Sequence, residues 1–172
     1  MASDERVVQP RDPVDEATRH WGERYSDASG FRGLVSLIRS YGAVVRSVEA
    51  VLRPLGLNLS RYEVLLLLSF TRAGHLPTMR LRDLLMVHGS SVTYLVDRLE
   101  EARLIERRPD PDDGRVSLVC ITDAGRETVS RASARLVEFQ FGAIGDLGED
   151  EREMLASLLG RLRGGAGGPA QG

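Results

Sequence analysis

Apolar residues recur along this chain at steps of three and four through most of its length, and the changes in that rhythm divide it into elements. Residues 1–12 are polar, with Pro10 and Pro13 interrupting them, and are expected to form a mobile arm. Val14, Ala17, Trp21 and Tyr25 then share one face of a short helix that Ser26 to Gly30 breaks. Trp21 calls for a partner surface, a second subunit being one candidate. Phe31, Leu34, Ile38, Tyr41, Val45, Val48, Leu52 and Leu55 mark a long helix, and Leu37, Val44 and Val51 widen its stripe. A stripe this wide buries against more than one helix, so an intramolecular core and a dimer interface are both open. Pro54 and Gly56 stop the helix. Ser60 and Glu63 have the spacing of a capping box. The run Val64 to Leu68, apolar on all sides, predicts a helix buried throughout. Arg72-Ala73-Gly74 ends it. Residues 75–78 read as a loop in which Thr78 caps a short helix from Met79 to Met86, with Leu81, Leu84 and Leu85 as its apolar face.

From His88 to Thr122 the pattern changes character. Val92, Leu95, Val96 and Leu99 form one helical face, while Ser90, Ser91, Thr93, Tyr94, Asp97 and Arg98 stand on the other. Pro109-Asp110-Pro111-Asp112-Asp113-Gly114-Arg115 is a dense turn between two β-prone runs, reached through Leu104 and Ile105. In the return strand, Val119 and Ile121 alternate with Val116, Leu118 and Cys120. Thr122 is placed to cap a further helix with Asp123 near its positive end, striped by Val129, Ala132, Leu136, Phe139 and Ala143. Gly142, Gly145 and Gly148 punctuate its end. A last helix opens on Glu149, Asp150 and Glu151, is striped by Met154, Leu155, Leu158, Leu159 and Leu162, and carries Arg161 and Arg163 at its C-terminus. Residues 164–172 are expected to be a flexible tail. No internal repeat is present.

Composition narrows the class. At 172 residues, 42% hydrophobic and 28% charged, the chain suits one globular domain or one intertwined subunit. No apolar run reaches bilayer length and no signal segment opens the chain, which leads us to expect a cytoplasmic protein without membrane contact. A single cysteine excludes an internal disulfide framework. The net charge of −2 removes any global basic field, but a groove-facing patch needs only local cations. All 23 basic residues are Arg, spread along the whole chain, which fits GC-rich coding better than selection for phosphate recognition. His20, His75 and His88 lack the partners and spacing of a metal site. No paired carboxylates, Ser-His-Asp set or Gly-rich phosphate loop suggests an enzyme or a cofactor.

A helix with short hydrogen-bonding groups on its open face, followed by a tight hairpin with Arg just past the tip, suggests a winged helix-turn-helix. The chain resembles the MarR family of bacterial transcription regulators. The likeness rests on S-S-V-T-Y-L-V-D-R-L-E (90–100), L-I-E-R-R (104–108), Asp113 and Arg115, and I-T-D-A-G (121–125), and spans roughly residues 31 to 163. It implies a mainly α fold with a small β-wing, a winged helix-turn-helix (58–122) inserted between dimerisation helices (13–57 and 123–163). It further implies a homodimer on an inverted-repeat operator, acting as a repressor that a small aromatic or phenolic ligand releases. The sequence departs from the family pattern at Arg82, commonly Ala, at Met86, commonly Gly, at Gly89, commonly Pro, and at Tyr94, often Arg. Some relatives sense oxidants through a cysteine near the chain's N-terminus; Cys120, in a strand, reads instead as a small apolar filler.

The candidate contacts to double-stranded DNA are therefore His88, Ser90, Ser91, Thr93, Tyr94 and Arg98 on the helix and its approach, and Arg107, Arg108 and Arg115 on the wing. Arg107 and Arg108 alternate sides of a strand, so only one is expected to face phosphate. Asp113, an anion, is expected to orient the hairpin by accepting from turn amides or Arg98. Asp97 and Arg98 have a second, structural reading as ties between helix and wing. Against DNA binding stands a winged-helix protein-interaction module, which Arg82, Tyr94 and the balance of residues 79–125 (seven Arg against nine Asp and Glu) favour.

Overall fold

The computed structural model of the chain describes residues 12–85 and 89–165, so all but the last residue of the expected arm at 1–12, the end of the tail, Met86 at the expected end of the short helix, and His88 lie outside the described residues. The chain divides between Val44 and Val45 into two compact units.

In the first unit, helix α1 (Pro13–Gly22) starts where Asp12 accepts from the Val14 amide (2.9 Å), with Pro at its first position. Helix α2 (Ala28–Leu52) begins earlier than expected. Gly30 is therefore helical rather than a breaker: the Asp27 carboxylate accepts from the Gly30 amide and the Ser29 hydroxyl (both 2.9 Å) and starts the new helix. Those bonds, the Gly30 amide first, hold the Asp27 carboxyl below its usual range. Trp21 finds its partner in its own chain, stacked on Phe31 with ring centroids 4.3 Å apart.

The second unit holds the end of α2, closed by a short 3-10 turn (Arg53–Leu55) and by Gly56 at φ 71°. Helix α3 (Leu59–Phe70) is capped by Asn58, whose side chain accepts from the Arg61 amide at 2.9 Å. The cap thus lies two residues before the Ser60 box expected from the motif. Buried Leu57, whose amide bonds back to Leu52, sets where the chain turns into the helix. Nor is α3 buried throughout: Val64, Leu65 and Leu68 are fully enclosed, while Leu66 and Leu67 are half-buried and Phe70 is exposed.

Residues 75–77, expected as loop, form a strand, β1 (His75–Pro77). Helix α4 (Thr78–Leu85) follows directly; Thr78 is its first residue, and its hydroxyl donates to the Ser117 carbonyl (3.2 Å), tying helix to sheet. Helix α5 (Gly89–Glu101) ends in paired bonds from the Arg103 and Leu104 amides to the Glu100 and Leu99 carbonyls, with Arg103 left-handed at φ 58°. Strands β2 (Ile105–Pro109) and β3 (Ser117–Ile121) form the hairpin, and the three antiparallel strands run in the order β1-β3-β2. As the central strand, β3 buries Leu118, Val119, Cys120 and Ile121 on both of its faces.

Thr122 caps helix α6 (Asp123–Glu138) as expected, accepting from the Gly125 amide at 3.0 Å. A Cβ on Gly125 would stand 2.1 Å from the Leu104 carbonyl oxygen, so only glycine lets this helix leave so close to the start of β2. Val129, Ala132 and Leu136 of α6 are buried, and Ser133 receives the Tyr62 hydroxyl of α3 at 3.0 Å. Because Ser133 gives its own proton to the Val129 carbonyl, Tyr62 is the donor in that pair. A 3-10 turn (Gly142–Asp146) leads to helix α7 (Glu149–Gly165), which runs two residues into the expected tail. Met154, Leu158 and Leu162 stand exposed along α7, as do Leu34, Ile38 and Tyr41 on the part of α2 in the first unit. Among the described residues no helix is long and apolar enough to cross a membrane.

Candidate nucleic-acid interface

Helix α5 packs through its apolar face. Val92, Leu95, Val96 and Leu99 are buried, as their spacing predicts, and α3, α4 and β2 pack against the helix. Its other face carries Thr93 and Tyr94, both exposed, with Tyr94 at 57%. The Arg98 guanidinium lies 5.2 Å from the Tyr94 ring centroid and donates to Glu101 at 2.7 Å. Tyr94 first and Glu101 second push the Arg98 pKa up, and both partners stay on its own helix. Ser90 and Ser91 fall in the first turn of α5, and His88 lies outside the described residues.

The tie between helix and wing is made by Asp97, and not by Arg98. Arg107 of β2 reaches back to α5, where its guanidinium binds both Asp97 and Glu100 while its amide donates to Glu100 at 3.1 Å. Burial works to lower the Arg107 pKa, but the two carboxylates outweigh it and the pKa is raised. Glu100 escaped the sequence reading. The available signal was its position three residues after Asp97, on the same helical face, opposite the inward side of a strand bearing Arg107. Arg108 points the other way, is exposed, and pairs with Glu106 on its own strand.

Carboxylates also build the wing tip. Asp110 accepts from the amides of Asp112 (2.8 Å) and Asp113 (3.4 Å), and the Asp110 amide closes the loop onto the Val116 carbonyl. Asp113 accepts from the Arg115 amide at 3.0 Å, one of the turn amides expected as its partners. Arg115 is exposed past the tip, and among the described residues its guanidinium pairs with no carboxylate. Cys120 sits buried in β3 with its thiol pKa pushed up by desolvation, the opposite of what a reactive thiolate requires. Thus Thr93, Tyr94 and Arg98 share the open face of one helix, Arg108 and Arg115 extend from the hairpin beside it, and Arg107 fastens the two.

Comparison with known proteins gives this arrangement its context. The MarR family profile matches residues 55–116. The HTH-type transcriptional regulator MhqR of Bacillus subtilis (strain 168) is 30% identical over 132 residues, 74% of this chain and 87% of MhqR. Two further HTH-type regulators of that bacterium align over 65% and 73% of their own lengths. Among solved structures, Sco5413, a MarR family transcriptional regulator from Streptomyces coelicolor, superposes with a TM-score of 0.75 at 36% identity, covering 82% of this chain and 97% of that one. Sco3205, a MarR family regulator from the same organism solved in complex with DNA, shares the fold at a TM-score of 0.74 and 21% identity, covering 87% and 94%. With a relative matched along most of its length, and a MarR family structure superposed over nearly all of its own chain, the chain belongs to the MarR family of transcriptional regulators.

Proposed function

We propose that this chain is a sequence-specific DNA-binding regulator, a homodimer that represses from an inverted-repeat operator and is released by a small aromatic or phenolic ligand. The observation that carries the reading is the open face of α5, bearing Thr93 and Tyr94, beside a wing whose Arg108 and Arg115 are exposed. Seated in a major groove, Thr93 and Tyr94 would meet base edges, Ser90, Ser91 and the amides of the first turn would meet phosphate, and Arg115 would enter the minor groove. Arg107 is a positioning residue in this scheme, because its guanidinium is already engaged by Asp97 and Glu100. A two-fold dimer sets two such helices about one helical turn of DNA apart, hence the inverted repeat. The DNA complex of Sco3205 supports the reading by analogy of fold. For the ligand, support comes from a cavity of about 390 Å³ where Ala50, Val51, Pro54 and Phe139 supply apolar walls and Arg135 a cation suited to a phenolate.

Selection of bound fragments from random duplex, followed by a salt titration, tests the reading. Affinity is expected to fall steeply as salt rises. Thr93→Ala and Tyr94→Ala are each expected to change half-site preference by about 1–3 kcal/mol where a base contact is lost. A salt-independent, sequence-indifferent protein would instead be the protein-interaction module.

A further inference from the structure

A second cavity, of about 340 Å³, opens between α3 and α4, which supply all of its described lining. Leu66, Leu67, Leu84 and Leu85 wall it, and among the described residues its one charged lining residue is Glu63. Glu63, Leu66 and Leu67 fall at steps of three and four on α3, so one helical face supplies both the carboxylate and half of the apolar wall. Among the described residues, the Glu63 carboxylate makes no ion pair and no side-chain hydrogen bond. Glu63 is solvent-exposed at the cavity wall, and partial desolvation there is the one cause that pushes its pKa up.

A pocket of this size accepts a small organic molecule, and its lining selects the kind. Leucine walls take an aromatic or hydrocarbon body. A carboxylate at such a wall rejects an anion and gains from a cation that brings a counter-charge beside it. We propose that this cavity is a binding site for a lipophilic organic cation, an amine protonated at neutral pH, with its apolar body between α3 and α4 and its ammonium on Glu63. This is opposite in charge to the phenolic ligand proposed above, so the two would not compete. Because α4 packs on α5 as well as on α3, filling the space between α3 and α4 alters how α5 is presented. That consequence rests on the DNA-binding reading, whereas occupancy of the cavity does not.

The test is calorimetric titration of the full chain with three probes of matched shape: phenethylamine, phenethyl alcohol and hydrocinnamate. The amine is expected to bind about tenfold tighter than the alcohol, the size of one charge-assisted hydrogen bond, and the acid not at all. Glu63→Gln is expected to erase the amine's advantage and leave the alcohol unchanged. Leu84→Lys, on an exposed position at the cavity wall, is expected to exclude the amine without disturbing the core. Equal affinity for amine and alcohol, binding of the acid in preference, or an amine preference that survives both substitutions would overturn the site. A duplex-binding titration with and without saturating amine then reads the coupling: unchanged DNA affinity with the cavity filled removes the regulatory consequence and leaves the site standing.

Discussion

Arg115 and Arg107 lie eight positions apart on one hairpin and do opposite things. Arg115 has no carboxylate partner among the described residues, and its amide donates to Asp113, which supports the minor-groove contact proposed for it. Arg115→Ala is expected to lower the salt slope of DNA binding by about one unit and to weaken sites with A·T-rich flanks most. Its urea unfolding midpoint should match the wild type. Arg107→Ala removes the clamp on Asp97 and Glu100 instead. It is expected to cost about 1 kcal/mol of stability and to weaken all DNA sequences alike, since the wing loses its angle to α5. An unchanged unfolding midpoint in Arg107→Ala would remove its positioning role. Strand alternation alone says that one of Arg107 and Arg108 turns inward; the acidic pair on α5 decides which.

At the level of elements, α3 carries two tests of local chemistry. Asn58→Ala is expected to destabilise the fold by about 1 kcal/mol, whereas Ser60→Ala, one residue inside the helix, should be close to neutral. Equal losses from the two would restore the capping box suggested by the motif. Glu63 bears on pH. Its folded-state pKa lies above the ordinary 4.5, so over the interval between the two values the unfolded chain is the first to give up its proton. Stability contributed at this position therefore falls as pH rises through that window. Urea midpoints measured from about pH 4 to about pH 7 should decline less in Glu63→Gln than in the wild type. A parallel decline in both proteins would place the pH dependence elsewhere.

For the whole molecule, the exposed apolar stripes matter most. Met154, Leu158 and Leu162 on α7, and Leu34, Ile38 and Tyr41 on α2, leave more apolar surface open than scattered surface residues account for. A homodimer that covers them is the proposal they support. Deleting residues 149–172 is then expected to give aggregate or unfolded chain. Light scattering after gel filtration checks this, and a well-folded monomer at micromolar concentration would count against the interface.

What the sequence by itself determined is what depends on near neighbours. The buried face of α5 follows from a spacing of three and four, the hairpin from its run of Pro, Asp and Gly, and the Thr122 cap from a side chain three residues before its amide. The order of these elements, with the motifs they carry, was enough to suggest the family. Tertiary structure decided what depends on distant partners. His75–Pro77 is a strand only because β3 offers it a free edge, and three residues ending in proline carry no strand signal of their own. Trp21 needed Phe31 across a break in the helices, Arg107 needed Asp97 and Glu100, and Glu63 became a feature only when α4 brought Leu84 and Leu85 to the same cavity. Periodicity reports which face of an element is buried, but not which neighbour buries it, and it is the neighbour that sets the charge and shape of a site.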